Sequence, residues 1–506
     1  MNDGTAKFPA AELHETHISI VFLVGDRAAK LKKPVCFPFV DLSTRAAREA
    51  MCHREVVLNR RLAPDVYLGV FDIVGPDGSP SDHLVMMRRM PDARRLSHLV
   101  RSGAVPDGAV RDLAHVIASF HTRAETSHAV DEAGRANQVA HRWDEGFAEI
   151  APLLRDPTVR AIEHEIEARV RRYLAGRRTL FDERITQGRI RDGHGDLLAD
   201  DVFLLDDGPR VLDCLEFDDE LRYGDILADV AFLAMDLEHL GAPGLARELL
   251  ACHRELTDDT YPETLAHHYL ALRAHIRAKV SALRSQQGDP DAAEESDRLL
   301  VLAAEHARRT RIALTLVGGA PGTGKSTLAA GIGDALAWVV LRSDDVRKDL
   351  AGIGHLDRTG AALDHGIYTE AHTVATYRAL LKRAGTLLER GEPVVLDASW
   401  ADESFRADAR RLAESTSADL IELHCDIDAE TAARRTWERA RHGRDPSDAT
   451  PEISREIRSR FDAWPSAHIV ATDGPPRASV AAALEAVHAS DPNVSRDPSR
   501  SARTDD

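Results

Sequence analysis

With 506 residues, 43% of them hydrophobic and 29% charged, the chain is too long for one core and has the composition of a soluble protein of several units. A formal net charge of −18 argues against a nucleic-acid backbone as partner, and no stretch approaches the roughly 18 uncharged apolar residues of a membrane span. The N-terminus lacks the pattern of a signal peptide, and five scattered cysteines (Cys36, Cys52, Cys214, Cys252 and Cys425) form no C-x-x-C pair, so reduced thiols in a cytoplasmic protein are expected.

In chain order, strands come first. Residues 18–24 and 27–32 read as a hairpin turned at Gly25-Asp26, 46–62 as a helix, and 66–74 and 83–87 as further strands. Helical segments follow, among them 107–124 and 157–175. A polar break at 286–291, with Pro290, precedes a connecting helix at 292–309. From 311 to 488 strands (312–317, 338–341, 393–396, 420–424) alternate with helices, which means βαβ units and a parallel sheet covered on both faces. The expected divisions are a flexible N-terminus (1–13), a first domain (14–285), a linker with its helix (286–310), a second domain (311–488) and a tail (489–506) too polar to fold.

In the first domain, His194-Gly195-Asp196 precedes the apolar run 202–205, and the strand beginning at Val211 leads into Asp213, Glu216 and Asp218. A His-x-Asp loop, a strand and then a carboxylate at a strand end is the layout of a protein-kinase-like catalytic core. The first aspartate accepts a proton from the substrate hydroxyl and the later one holds Mg²⁺. Carboxylates suit both tasks, as modest bases and as hard oxygen ligands.

These residues resemble the aminoglycoside phosphotransferase (APH) family, small-molecule kinases with a two-lobed, protein-kinase-like α+β fold. The resemblance implies that Asp196 is the catalytic base, that Lys30 grips the α/β-phosphates of ATP, and that Glu55 is its helix partner. It also implies a hinge near 87–91 and buried structural aspartates at Asp225 and Asp229. Where the family has asparagine after the base, this chain has Asp201, which can still hold Mg²⁺; Leu197-Leu198 replaces an apolar-histidine pair. Asp213, Glu216 and Asp218 all lie near the strand end; Asp213 is the first choice for the second metal carboxylate and Asp218 the next. Ordinary readings stand beside these: Lys30, Lys32 and Lys33 as charges on an edge strand, Glu55 as a solvated helix residue, His-Gly-Asp as a turn.

In the second domain, Gly319-Ala320-Pro321-Gly322-Thr323-Gly324-Lys325-Ser326 matches the P-loop pattern G-x-x-x-x-G-K-[ST], after an apolar strand and before a helix that continues through Thr327. Glycines let backbone N–H groups curl around phosphate, the helix N-terminus adds its positive dipole end, Lys325 reaches the β/γ-phosphates and Ser326 ligates Mg²⁺. The strand 393–396 runs into Asp397, a Walker-B-like position for the metal. Asp344 and Arg347 have the S-D-x-x-R spacing that resembles P-loop kinases such as gluconate kinase, zeta toxin and polynucleotide 5′-kinases. That resemblance implies that Asp344 orients or deprotonates the acceptor hydroxyl and Arg347 holds its anionic or polar part. The rival is a helix cap at Ser343 or Asp344, with the helix starting at Asp345. Residues 434–449 resemble a kinase lid in which Arg435 and Arg439, four apart, neutralise charge in the transition state; a solvated basic helix is the alternative.

The pairing resembles a bacterial family with an APH-like domain ahead of an AAA-type P-loop ATPase/kinase domain. The expectation is therefore an ATP- and Mg²⁺-dependent phosphotransferase with two nucleotide sites and a small-molecule hydroxyl acceptor. For the first domain an amino sugar is what the resemblance suggests. No membrane, nucleic acid or obligate protein partner is expected. The alternative is an inactive ligand-binding first domain with a P-loop switch, ATPase or polynucleotide 5′-kinase behind it.

Overall fold

The computed structural model describes residues 12–16, 18–37, 40–354, 366–442 and 451–492. Most of the expected N-terminal arm and of the polar tail falls outside these residues. Two compact units emerge, and they interleave along the chain: described residues up to Arg160, Phe181–Tyr261 and Ala266–His306 form the first, whereas Ala161–Leu180, Pro262–Leu265 and residues from Ala307 onward form the second.

The first unit opens with a five-stranded antiparallel sheet, in spatial order Glu12–Glu15, Ser19–Val24, Arg27–Lys32, Pro80–Arg88 and Tyr67–Val74. The strand Arg27–Lys32 alternates cleanly, with Ala28, Lys30 and Lys32 turned to the buried face. The helix Arg45–Asn59 lies against that face. Its N-cap Thr44 accepts a hydrogen bond from the backbone N–H of Ala47 (3.2 Å), satisfying one orphan donor of the first turn. From its inner stripe Cys52 and Val56 join Ala28, Val66, Val85 and Met87 in one apolar cluster, which fixes the height at which Glu55 meets the two lysines. The rest of the unit is mainly helical, including Ala109–Arg123, Ala136–Ile150, Ile226–His239, Pro243–Leu256 and Glu263–Gln286. Two small antiparallel pairs, Val202–Leu205 with Gly208–Val211 and Ile190–Asp192 with Tyr223–Asp225, frame the loops that carry the carboxylates. This is the two-lobed α+β, protein-kinase-like arrangement.

The second unit is α/β. Its sheet is wholly parallel, ordered Val339–Arg342, Val394–Asp397, Ala313–Gly318, Asp419–Asp426 and His468–Ala471. The central strand Ala313–Gly318 is buried along its whole length, as a strand covered on both faces must be. Helix Lys325–Leu336 follows it and contributes Leu328, Ala329 and Ile332 to the core on one side of the sheet.

Two expectations are corrected. Residues 161–180 and 262–265 pack with the second unit, although the sequence reading places them in the first domain. The reason lies at the end of helix Pro157–Ala175: Arg172 pairs with Asp419 (2.6 Å), and the buried Arg177 donates to the carbonyls of Thr416 (2.7 Å) and Leu388. The helix after Val339–Arg342 begins at Ser343, with Arg342 at the N-cap and no side-chain cap bond, so neither Ser343 nor Asp344 caps a helix starting at Asp345. Among the described residues all five cysteines are free, and no helix is long and apolar enough to cross a membrane.

Candidate functional sites

In the first unit two lysines on alternate positions of one strand meet three carboxylates. Lys30 Nζ lies 2.9 Å from Glu55 Oε1 and 2.6 Å from Asp213 Oδ1. Lys32 Nζ lies 2.6 Å from Glu55 Oε2 and also pairs with Glu216. Period-two alternation makes this unavoidable: if one lysine faces the helix, so does the other. Burial works against the Lys30 ammonium, yet Asp213 and Glu55 hold its pKa well above the ordinary lysine value. Asp213 is pulled below the usual carboxylate range, chiefly by Lys30. Its backbone is left-handed (φ 60°), and its N–H donates to the buried Tyr67 hydroxyl (3.2 Å), which keeps the carboxylate aimed at Lys30. Asp218 stands apart and accepts from the backbone N–H of Glu220 (2.9 Å), shaping a turn.

The His194-Gly195-Asp196 loop is held from below by Asp229. That carboxylate accepts the backbone N–H groups of His194 (2.8 Å) and Gly195 (2.9 Å) and faces Nε2 of the buried His121 (3.0 Å). His194 donates from Nε2 to the carbonyl of Leu212 (3.0 Å), tying the loop to the residue before Asp213. Gly195 has φ 86°, and a Cβ there would stand 3.1 Å from Arg222 Cγ, so the backbone requires glycine. Asp196 is half-buried; desolvation raises its pKa, and Arg277 and His194 oppose that rise. Asp201 is raised further, by burial and then by Asp213 and Asp196. Three carboxylates thus crowd one another electrostatically beside a lysine already engaged. Among the described residues no group of three or more His, Cys, Asp or Glu side chains is gathered as a metal site. Mg²⁺ asks for less: one or two carboxylates, with phosphate oxygens and water completing six ligands. Asp201 and Asp213 fit that demand, because the repulsion at Asp201 is what a divalent cation relieves.

In the second unit the P-loop runs from Gly319 to Ser326. Gly319, Gly322 and Gly324 all have positive φ (136°, 87° and 91°), and Gly324 is the N-cap of helix Lys325–Leu336. Lys325 Nζ donates to the Ala320 carbonyl (3.3 Å), and the Thr323 hydroxyl to the same oxygen (2.9 Å). Parallel register sets Arg342 beside Asp397, at the carboxyl ends of their strands. Arg342 Nε lies 3.3 Å from Asp397 Oδ2, and its Nη2 donates to Ser326 Oγ (3.4 Å). A guanidinium therefore bridges the two groups expected to hold Mg²⁺, a contact that no sequence motif announces. Both are oxygen ligands of the kind Mg²⁺ takes, so the pair fits the ion once Arg342 yields.

Next to them a cleft of about 570 Å³ is lined by Lys325, Ser326, Asp344, Arg347, Asp397 and Ser399, among others. Burial and the Asp397 charge raise the Asp344 carboxyl, while Lys325, Arg347 and Arg342 counter them. Arg347 is anchored to the carbonyl of Ile367 (3.0 Å) and the hydroxyl of Thr373 (3.1 Å), over the ring of Tyr368. Arg435 donates to the Thr472 carbonyl (2.9 Å), and Thr472 in turn bonds the Thr323 carbonyl (2.5 Å), which ties helix Ala429–His442 to the P-loop. The Arg439 side chain and residues 443–450 of the expected lid lie outside the described residues. Ala320, Pro321 and Thr327 fall within the loop and the first helical turn.

Comparison with known proteins agrees with this division. Residues 314–464 match the family model described as an AAA domain. Over 489 residues the chain is 42% identical to the protein "Uncharacterized protein Rv2004c" of Mycobacterium tuberculosis (strain ATCC 25618 / H37Rv), covering 95% of this chain and 97% of that one. Among solved structures, a choline/ethanolamine kinase family protein from Mesorhizobium loti is 14% identical over 60% of this chain and 94% of its own, with a TM-score of 0.37. A gluconokinase from Sinorhizobium meliloti 1021 is 19% identical over 36% of this chain and 94% of its own, with a TM-score of 0.27. At such scores neither bears on chemistry. The architecture is a two-lobed α+β unit followed by a P-loop unit that matches the AAA-domain model.

Proposed function

The chain belongs to the family of the mycobacterial protein Rv2004c, and from the geometry of its two sites we propose that it is an ATP- and Mg²⁺-dependent phosphotransferase with two nucleotide sites, acting on a hydroxyl of a small molecule. The observation that carries the first site is Lys30 held between Glu55 and Asp213, with Asp213 in turn within electrostatic reach of Asp196 and Asp201. Lys30 would neutralise the α/β-phosphates, and Asp201 and Asp213 would hold the metal. Asp196 would take the acceptor's proton as its oxygen bonds to the γ-phosphorus and ADP departs. Bound Mg²⁺ supplies charge neutralisation on the phosphates. In the second site Lys325 and the backbone from Gly319 to Thr327 would cradle the phosphates, with Ser326 and Asp397 on the metal. Asp344 would act on the acceptor in the adjoining cleft, and Arg347, Arg435 and Arg439 would offset charge. Most of the rate in such sites comes from positioning and preorganised charge.

Calorimetry of the full-length protein with ATP and Mg²⁺ tests this reading. Two bound nucleotides are expected, one lost in Lys30→Ala and the other in Lys325→Ala. A hydroxyl-metabolite screen followed by phosphorus NMR should then give products sensitive to Asp196→Asn or Asp344→Asn. ATP turnover that needs Lys325 alone, with no acceptor ever labelled, would leave only a P-loop switch.

A further inference from the structure

Three arginines gather around the loop that presents Asp196. Arg273, on helix Glu263–Gln286, donates from Nε to the Ala228 carbonyl (2.9 Å) and from Nη1 to the carbonyl of Gly195 (3.5 Å), immediately before Asp196. Arg277 follows one helical turn later and so shares that face. From helix Ala136–Ile150, Arg142 donates to the carbonyls of Tyr223 (2.8 Å) and Glu220 (3.1 Å); the Leu221 carbonyl and Arg222 between them pack against Gly195. All three are half-buried, and among the described residues none pairs with a carboxylate.

Their electrostatics agree with that geometry. Burial depresses the pKa of both Arg142 and Arg273, with Glu220, Glu145 and Asp218 acting on Arg142, and Asp229 and Asp196 on Arg273, without offsetting it. Arg142 and Arg273 have carbonyl partners. Arg277 has neither a hydrogen bond nor an ion pair among the described residues, yet it is the strongest single charge acting on Asp196. A cationic acceptor would bring its ammonium groups up to this cluster and meet like charge, which costs affinity. Asp196 and Asp236 act on Arg277 electrostatically without pairing with it, so an anionic acceptor would give it a direct partner, and guanidinium groups suit phosphate and carboxylate as bidentate donors.

We propose that the acceptor of the first unit is an anionic hydroxyl compound, whose phosphate or carboxylate is bound by Arg277 with Arg273 and Arg142 alongside, and not an amino sugar. This rests on the phosphotransferase reading above. The acceptor oxygen bonds to the γ-phosphorus, the bond from that phosphorus to the β–γ bridging oxygen breaks, ADP leaves, and the hydroxyl proton passes to Asp196. Arg277 touches the acceptor away from the reacting atoms and acts as a specificity residue.

The test uses the full-length chain carrying Lys325→Ala, saturated with a non-hydrolysable ATP analogue and Mg²⁺. Glucose 6-phosphate, glycerate, glucose and glucosamine are titrated in by calorimetry. Binding of the sugar phosphate or of the hydroxy acid is expected, and which of the two binds identifies the anionic group. Arg277→Gln should weaken that binding tenfold or more, and Arg277→Lys should restore part of it, with thermal melts showing both variants folded. Binding of glucosamine or glucose in preference, no anion binding, or anion binding indifferent to Arg277→Gln would overturn the proposal. Failure of the underlying reading shows separately, as no binding of the ATP analogue itself.

Discussion

Lys32 has no exposed side-chain surface and sits between Glu55 and Glu216, so its charge is held entirely by those two carboxylates. Removing one member of a buried pair leaves the other uncompensated, at a cost of about 3–5 kcal/mol. Lys32→Met should lower stability by that order in denaturant titrations, and adding Glu216→Gln should cost less than the sum of the two changes, since neighbours in one network are not additive. Asp201 works in the opposite direction. Its folded pKa lies well above the ordinary carboxylate value, so the folded state binds the proton more tightly than the unfolded chain does. Its penalty is absent below the unfolded pKa of about 4, grows as pH rises through the folded value, and is complete above it. Asp201→Asn should therefore raise the melting temperature of the ligand-free protein at neutral pH, by an amount that shrinks towards pH 4, while weakening Mg²⁺-dependent nucleotide binding. Arg342 gives a third test. With its guanidinium on Asp397 and Ser326, it competes with the metal, so Arg342→Met should lower the Mg²⁺ concentration needed for ATP binding at the P-loop site, by about tenfold if the contact is worth about 1.4 kcal/mol. At this scale the sequence is uneven. Lys30 and Glu55 are legible through the family resemblance, but the choice of Asp213 over Asp218 as the neighbour of Lys30 depends on a left-handed backbone at Asp213, which no spacing reveals. Arg342 carries no signal of its own, because its significance comes from register with a strand more than fifty residues away.

Secondary elements with a strong apolar rhythm are the ones the sequence announces. The hairpin Ser19–Val24 and Arg27–Lys32 and the first four strands of the parallel sheet in chain order match their expected segments to within about two residues. Two strands that gave no signal are peripheral. Glu12–Glu15 is exposed throughout, and His468–Ala471 buries only Val470, so neither carries the alternation that marks a strand with one face in a core. The P-loop is legible because its backbone conformation demands particular residues. Gly322, at φ 87°, packs so closely on helix Ala429–His442 that a Cβ would stand 2.6 Å from Thr436 Oγ1 and meet the Ala432 carbonyl. Gly322→Ala should displace that helix, lower the melting temperature and abolish nucleotide binding at the second site, whereas binding at the first should survive. Calorimetry with ATP separates the two outcomes.

The scale of the whole chain is where sequence reasoning was least informative. Helix Pro157–Ala175 has the same amphipathic look as its neighbours, and nothing in its pattern says which core it serves. Partner groups far along the chain decide that: Asp419 for Arg172, the Thr416 and Leu388 carbonyls for Arg177. A fragment cut at the apparent boundary, residues 311–492, would lack the segment 161–180 and leave those carbonyls and Asp419 short of partners. Such a fragment should melt well below the full chain, or without a cooperative transition, in circular dichroism, and supplying a peptide spanning 157–180 should recover part of the loss.

The interleaving also sets an order of events at the ribosome. Ala161–Leu180 is synthesised well before the P-loop sheet that it packs against. At roughly 5–20 residues per second, that segment waits on the order of ten seconds for the strands it packs against. The first unit has all of its residues once His306 is made, whereas the second, begun at Ala161, must wait for strands that follow Ala307.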